Sequence, residues 1–370
     1  MICAVPDTGQ RQRRSAIPPV DNPFFVVTPP FTRTSAGVTV LHLLCHYLNA
    51  VGENAFIVHY PPAPDPGGGL SPNARLQICG EFPGGMNAPL ITQDVLDFYN
   101  ERRITPVVIY PEILDNPFSV SFFARYLLNY PGLLGPHYSQ RAIFEFAYSK
   151  HLATGCNADD VLFIPTADLS FWNSDGASPI RSGTCFYAGK LQEIFGKKPQ
   201  GLPTGSVEIL RSSAMSRQEI RLLFWTKEAF YCFEDTSLAT EATLCGCPTV
   251  FVANDHFSGI PLANLETTMD GACLYDEPSG LTRAKETVGN CECHILRSIA
   301  KVPLEVSRIA HTLKAHVQCH PFTSPFNYPF QPRLVLLDNG DSPDLLQKKE
   351  PLPQFAWARR LFQTLRGASS

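Results

Sequence analysis

Long apolar runs are missing from this 370-residue sequence. No stretch approaches the roughly 18 apolar residues needed to span a bilayer. The first residues carry Pro, Asp, Gln and Arg where a signal peptide would be apolar, so a soluble, cytoplasmic chain is expected. A charge excess is missing too: 30 Lys+Arg face 34 Asp+Glu, a formal net charge of -4, which gives no global attraction to nucleic acid. The one basic cluster, "RQRR" at Arg11 to Arg14, reads as part of a frayed N-terminus. The glycine run in "PPAPDPGGGLSPN" (61–73) has no Lys-Ser/Thr after it, which excludes a P-loop and leaves a long loop. Cysteine is plentiful, at 12, but lies mostly inside apolar runs, as reduced, buried thiols do. "CECH" (Cys291 to His294) has C-x-C rather than C-x2-C spacing, so no metal site is expected. There is no repeat of fixed period.

The chain does contain strand-length apolar runs, among them "FFVVT" (Phe24 to Thr28), "AFIVHY" (Ala55 to Tyr60), "PVVIYP" (Pro106 to Pro111), "VLFIP" (Val161 to Pro165), "TCFYAG" (Thr184 to Gly189), "SVEIL" (Ser206 to Leu210), "AFYCF" (Ala229 to Phe233) and "PTVFVA" (Pro248 to Ala253). Continuous runs of this kind suit parallel strands covered on both faces. Helical periods lie between several of them. "AGVTVLHLLCHYLNAVG" repeats apolar residues at three and four, and "SRQEIRLLFWTKEA" opens with Ser216 and Glu219 spaced as a capping box. Alternation of this sort implies an α/β protein with two Rossmann-like doubly wound domains. The Ser-, Asp- and Gly-rich segment 166–183 marks the boundary. The expected division is an N-terminal extension over 1–23, a first domain over 24–175, a second over 176–330 and a tail over 331–370.

One segment carries chemistry. "YCFEDTSLATEATLCGCPTVFVAND" (Tyr231 to Asp255) reads as strand, helix and strand, with Asp235 or Thr236 as N-cap, Gly246 as C-cap and Pro248 opening the second strand. Such a unit at the carboxyl end of a parallel sheet is where open α/β folds take ligands. The amides of Thr236, Ser237, Leu238 and Ala239, with the hydroxyls of Thr236 and Ser237, suit a diphosphate on the positive helix end. Glu241 follows Ser237 by four residues, not the three of a capping box, and is a candidate for ribose hydroxyls. Its plainer role is a carboxylate stabilised by the helix dipole.

This segment resembles the C-terminal-domain signature of GT-B glycosyltransferases of the family-4 type, in which an acid at a strand end precedes a second Glu opening "EA...G.P.V". Glu241, Ala242, Gly246, Pro248 and Val250 fall on that pattern. The family's gap of seven between the acids is six from Glu234 or five from Asp235, so either stands at the first position. "YAGKLQEIFGKK" (Tyr187 to Lys198) resembles the family's "vGrl...KG" turn. The resemblance implies that Lys190, and Lys197 or Lys198, face the donor diphosphate, where cations stabilise a departing nucleoside diphosphate without proton transfer. It further implies base contacts near Leu210, Arg211 and Ser212.

The first half carries its own likenesses. Ser35, Ala36 and Gly37 resemble the small-residue loop that opens the GT-B cleft on the acceptor side, and they equally suit an ordinary cap and turn. "VVIYPEILDNPFSVSFFARYLLNYPG" (Val107 to Gly132) resembles bacterial polysaccharide and O-antigen glycosyltransferases with "yPE...NP....RYlLN.pG". Glu112 in it is either a general base for an acceptor hydroxyl or the partner of Arg125 in a buried ion pair. "PQFAWARRLFQTL" (353–365) has helical spacing suited to a helix packing back.

The implied function is metal-independent transfer of a hexosyl group, with retention, from a nucleotide-diphosphate sugar to a glycan or lipid-linked acceptor in polysaccharide biosynthesis. The implied catalytic residues are Glu234, Lys190 and Glu112. The donor side comprises Glu241, Asp235, Thr236, Ser237, Leu238, Lys197 and Arg211. No cofactor besides the donor substrate is implied, and the implied place is the cytoplasm, with peripheral contact at the inner face of the membrane. Two alternatives use the same fold: a catalytically inert sugar-nucleotide or glycan-binding subunit, and a nucleotide-sugar epimerase, which would need an acid and base pair in the cleft.

Overall fold

The computed structural model describes residues 21–32, 35–65, 85–210, 215–320 and 322–331. Arg11 to Arg14, Arg211, Ser212 and the segment 353–365 lie outside them.

The first half runs β1 (Phe24–Thr28), α1 (Ala36–Ala50), β2 (Ala55–His59), α2 (Gln93–Glu101), β3 (Val107–Pro111), β4 (Phe123–Leu127), β5 (Phe144–Ala147), α3 (Lys150–Cys156) and β6 (Asp160–Val161). Its strands form one sheet in the order β2-β1-β3-β4-β5-β6, every pair parallel. Side chains alternate across it. Phe24, Val26, Ile57 and Ile109 enter one core, and Phe25, Val27, Val58 and Val108 enter the other. With both faces covered, β1, β2 and β3 contain no polar face, which is why they read as continuous apolar runs.

The second half runs β7 (Thr184–Tyr187), α4 (Gly189–Glu193), β8 (Val207–Glu208), α5 (Arg217–Thr226), β9 (Ala229–Cys232), α6 (Ser237–Leu244), β10 (Thr249–Phe251), α7 (Asn264–Thr267), β11 (Ala272–Leu274), α8 (Gly280–Thr287) and α9 (Cys291–Gln318). Its sheet has the order β11-β10-β9-β7-β8, again all parallel. The molecule is thus α/β, with two Rossmann-like doubly wound domains. Local signals act as written: Ser35 caps α1 by accepting from the Val38 amide, Ser216 and Glu219 close the capping box of α5, and Gly246 ends α6 at φ +74°.

The division of the chain differs from the expected one at both joins. The segment 166–183 sends Leu169 and Trp172 into the second core, so it belongs to that domain rather than lying between the two. At the other end, α9 crosses back. Cys291 and Ile295 pack in the second core, whereas Val302, Val306, Ile309 and Leu313 pack in the first. Pro303 sits at the crossing, where its ring removes one intrahelical hydrogen bond. Phe326 and Tyr328 then cover the opposite face of the first sheet. Residues 302–331 therefore stand on the first domain, because its sheet needs apolar cover on both faces.

Candidate active site

In a doubly wound sheet the crevice lies where the strand order reverses, beyond the carboxyl ends of the strands. The first sheet reverses between β1 and β3, and the second between β7 and β9. Glu112 follows β3 directly, Lys190 lies just after β7, and Glu234 and Asp235 lie just after β9. All four line one cavity of about 860 Å³, which also takes Ser35, Ala36 and Gly37 from the first domain and Thr236 and Ser237 from the second. The two domains face each other across it. They also touch beside it, where the Lys150 amide at the start of α3 donates to Glu266 on α7 at 2.9 Å.

On the first wall, Glu112 is 5% exposed. Its Oε2 accepts from the Leu128 amide at 3.0 Å, in the loop that follows β4. Burial pushes its carboxyl up to about 7, against the opposing pull of that amide and of the more distant Arg125. The ion-pair alternative for Glu112 is not what forms: Arg125, fully buried, pairs with Glu145 at 3.0 Å, its register partner on β5. Arg125 also donates to the carbonyls of Leu114, Asp115 and Gln140, which fastens the loop after Glu112. The small residues form a helix start rather than a loop: Ser35 is the N-cap of α1, Ala36 and Gly37 are its first residues, and a Cβ on Gly37 would make only an ordinary contact with Leu128. Gly132 has φ +86°, and a Cβ there would overlap the His137 ring at 2.3 Å, so that turn requires glycine.

On the second wall, Glu234 is also 5% exposed but is fully engaged. Its carboxylate accepts from the Lys190 backbone amide and pairs with Lys190 Nζ at 3.5 Å. The same Nζ donates to the Asp235 carbonyl at 2.9 Å. The Asp235 carboxyl accepts from the Leu262 amide at 3.3 Å, and burial raises its pKa against the pull of Lys190. Thr236 is the N-cap of α6 and accepts from the Leu238 amide at 3.4 Å.

Three expected donor contacts do not reach the cavity. Lys197 turns outward to an exposed ion pair with Asp255, so it is not a second cation of the cleft. Glu241 does not line the cavity, to which α6 contributes Ser237, Ala239, Thr240 and Thr243. The Leu238 amide is taken by the Thr236 hydroxyl, and its side chain packs against the second core. Residues missed in the sequence include Glu193 and Asp270, both on the lining. Asp270 pairs with His294 of "CECH" at 2.9 Å, and no sequence spacing announces that pair.

No protein-family model matches this chain, and no curated protein matches it. Among solved structures, it is similar to spinosyn rhamnosyltransferase SpnG complexed with thymidine diphosphate, at 11% identity and TM-score 0.34 over 80% of this chain and 99% of that one. The glycosyltransferase SnogD from Streptomyces nogalater has 11% identity and TM-score 0.34, over 81% and 99%. T4 phage BGT in complex with UDP and Mn2+ has 8% identity and TM-score 0.34, over 80% and 97%. Likeness of this degree carries no chemistry, so the functional reading rests on the residues of the cavity.

Proposed function

We infer that the protein is a glycosyltransferase that moves a sugar from a nucleotide-diphosphate donor to an acceptor hydroxyl. The observation that carries this is the opposition of two unlike groups across one cavity: a desolvated carboxyl, Glu112, and an ammonium, Lys190, each at its sheet's switch point. The acceptor oxygen bonds to the anomeric carbon while the bond from that carbon to the diphosphate oxygen breaks. The electron pair leaves with the nucleoside diphosphate, and the hydroxyl proton passes to Glu112.

A base is most useful when its pKa is near the working pH, and burial brings Glu112 there. Lys190 stabilises the departing diphosphate, assisted by amides at the start of α6, so the reading includes no metal requirement. Glu234 acts through Lys190, holding it in place. A base on the wall opposite the leaving group favours inversion; retention, implied by the two-acid resemblance, is the alternative. That resemblance also supplies polysaccharide biosynthesis as the setting and a hexosyl group as the cargo.

The test is calorimetry of the full chain against UDP-, GDP-, dTDP- and ADP-linked sugars, with CMP-linked sugars as a monophosphate control, with and without EDTA. Saturable binding of one diphosphate series, unchanged by EDTA, is expected. Binding of none rejects the reading in favour of an inert or differently liganded protein, and binding without turnover of any acceptor points to the sugar-nucleotide-binding subunit.

A further inference from the structure

Large apolar side chains share the cavity with Glu112. Ile113, Leu133 and Leu134 line it from the first domain and Ile194 and Phe195 from the second. The loop carrying Leu133 and Leu134 is the one whose Leu128 amide holds Glu112, and it packs directly on Ile113, where a Cβ on Gly135 would meet Ile113 Cβ at 3.2 Å. Ile194 is 47% exposed although it is large and apolar, and it lies at this cavity rather than in a core. Apolar surface left uncovered at a concave site marks a place where a ligand completes the burial.

Charge narrows the ligand further. The lining presents the carboxyl groups of Glu112, Glu193, Glu234, Asp235 and Asp270 and, among the described residues, the single ammonium of Lys190. That ammonium already faces Glu234 and is needed by the donor diphosphate. A phosphate-linked acceptor would bring a second anionic group into a field of the same sign at low dielectric, which costs free energy.

We propose that the acceptor is an uncharged alcohol or phenol with an apolar body, seated on Ile113, Leu133, Leu134, Ile194 and Phe195 with its hydroxyl toward Glu112. This rests on the transferase reading above and departs from the glycan acceptors that the polysaccharide-type resemblance suggests. The apolar body belongs either to a small ring aglycone or to a neutral lipid; the two share the same chemistry.

The experiment titrates the full chain with N-phenyl-1-naphthylamine, an uncharged apolar fluorophore, and then competes it off with 2-naphthol, dioctanoylglycerol, farnesyl diphosphate or maltotriose. One saturable probe site is expected, displaced by naphthol if the body is a ring aglycone or by dioctanoylglycerol if it is a neutral lipid. Ile194→Glu, at an exposed position whose change leaves the cores intact, is expected to weaken probe binding about tenfold, and Leu133→Asn to weaken it similarly. Absence of probe binding, preferential displacement by farnesyl diphosphate or maltotriose, or wild-type affinity in both variants overturns the proposal. The donor titration above separates the two readings. Donor binding without probe binding sinks only the acceptor class, and probe binding without donor binding sinks the transferase.

Discussion

Glu112 and Glu234 stand in equivalent places, each just past the third strand of its domain beside a switch point, and each is 5% exposed. Their partners differ. Glu234 has the Lys190 amide and ammonium against its carboxylate, so its charge is compensated and its geometry fixed. Glu112 has only backbone amides, that of Leu128 and its own, and the Arg125 guanidinium is committed to Glu145. On the proposed reading, identical side chains at matching positions divide into a positioner and a base through the placement of one cation each.

The comparison breaks if the two carboxylates respond alike. The largest expected effect is on turnover: Glu112→Gln lowers kcat by about 10²- to 10⁴-fold while nucleotide-sugar binding by calorimetry stays near wild type. Arg125→Met leaves the buried Glu145 with only the exposed Arg141, at 3.7 Å, as a cation and removes the donor of three loop carbonyls, and urea melts are expected to show a loss of about 3 kcal/mol. Lys190→Met should cut kcat by about 10²-fold and weaken nucleoside-diphosphate binding, the opposite balance from Glu112→Gln.

The pH dependence sharpens the contrast. With its folded pKa raised from 4.5 to about 7, Glu112 favours the native state at low pH and loses that contribution as pH rises through 7. Thermal stability should therefore fall over this interval, by about 3 kcal/mol for this group, and Glu112→Gln should flatten that fall while kcat/KM of the parent rises with pH. The smallest effect belongs to Lys197→Ala, which removes an exposed pair and should leave donor binding unchanged.

Much of the frame was legible in the residues. β1, β2, β3, β7 and β9 read directly as uninterrupted apolar runs, and Ser35, Ser216 and Gly246 announced their helix ends. β4 and β5 did not, because "FARYL" and "FEFA" each carry a charge in mid-strand. The pairing of Arg125 with Glu145 that makes this tolerable is visible only once the strands are side by side. The 28-residue α9 was hidden by Pro303 within it. In the site, Lys190, Glu234, Asp235 and Glu112 meet because strand ends converge, which topology dictates. The direction of Glu241 depends on the phase of α6 and that of Lys197 on a loop, and neither is written in residue type.

The crossing of α9 has a mechanical meaning. One helix supplies a wall to both cores, so neither domain can lose its packing without stripping the other of a buried helical face. The cleft is therefore spanned by a continuous tie beam, and the molecule should melt as a single cooperative unit rather than as two halves in succession. A chain cut at residue 300 would expose the apolar stripe of the first sheet that Val302, Val306, Ile309 and Leu313 now cover.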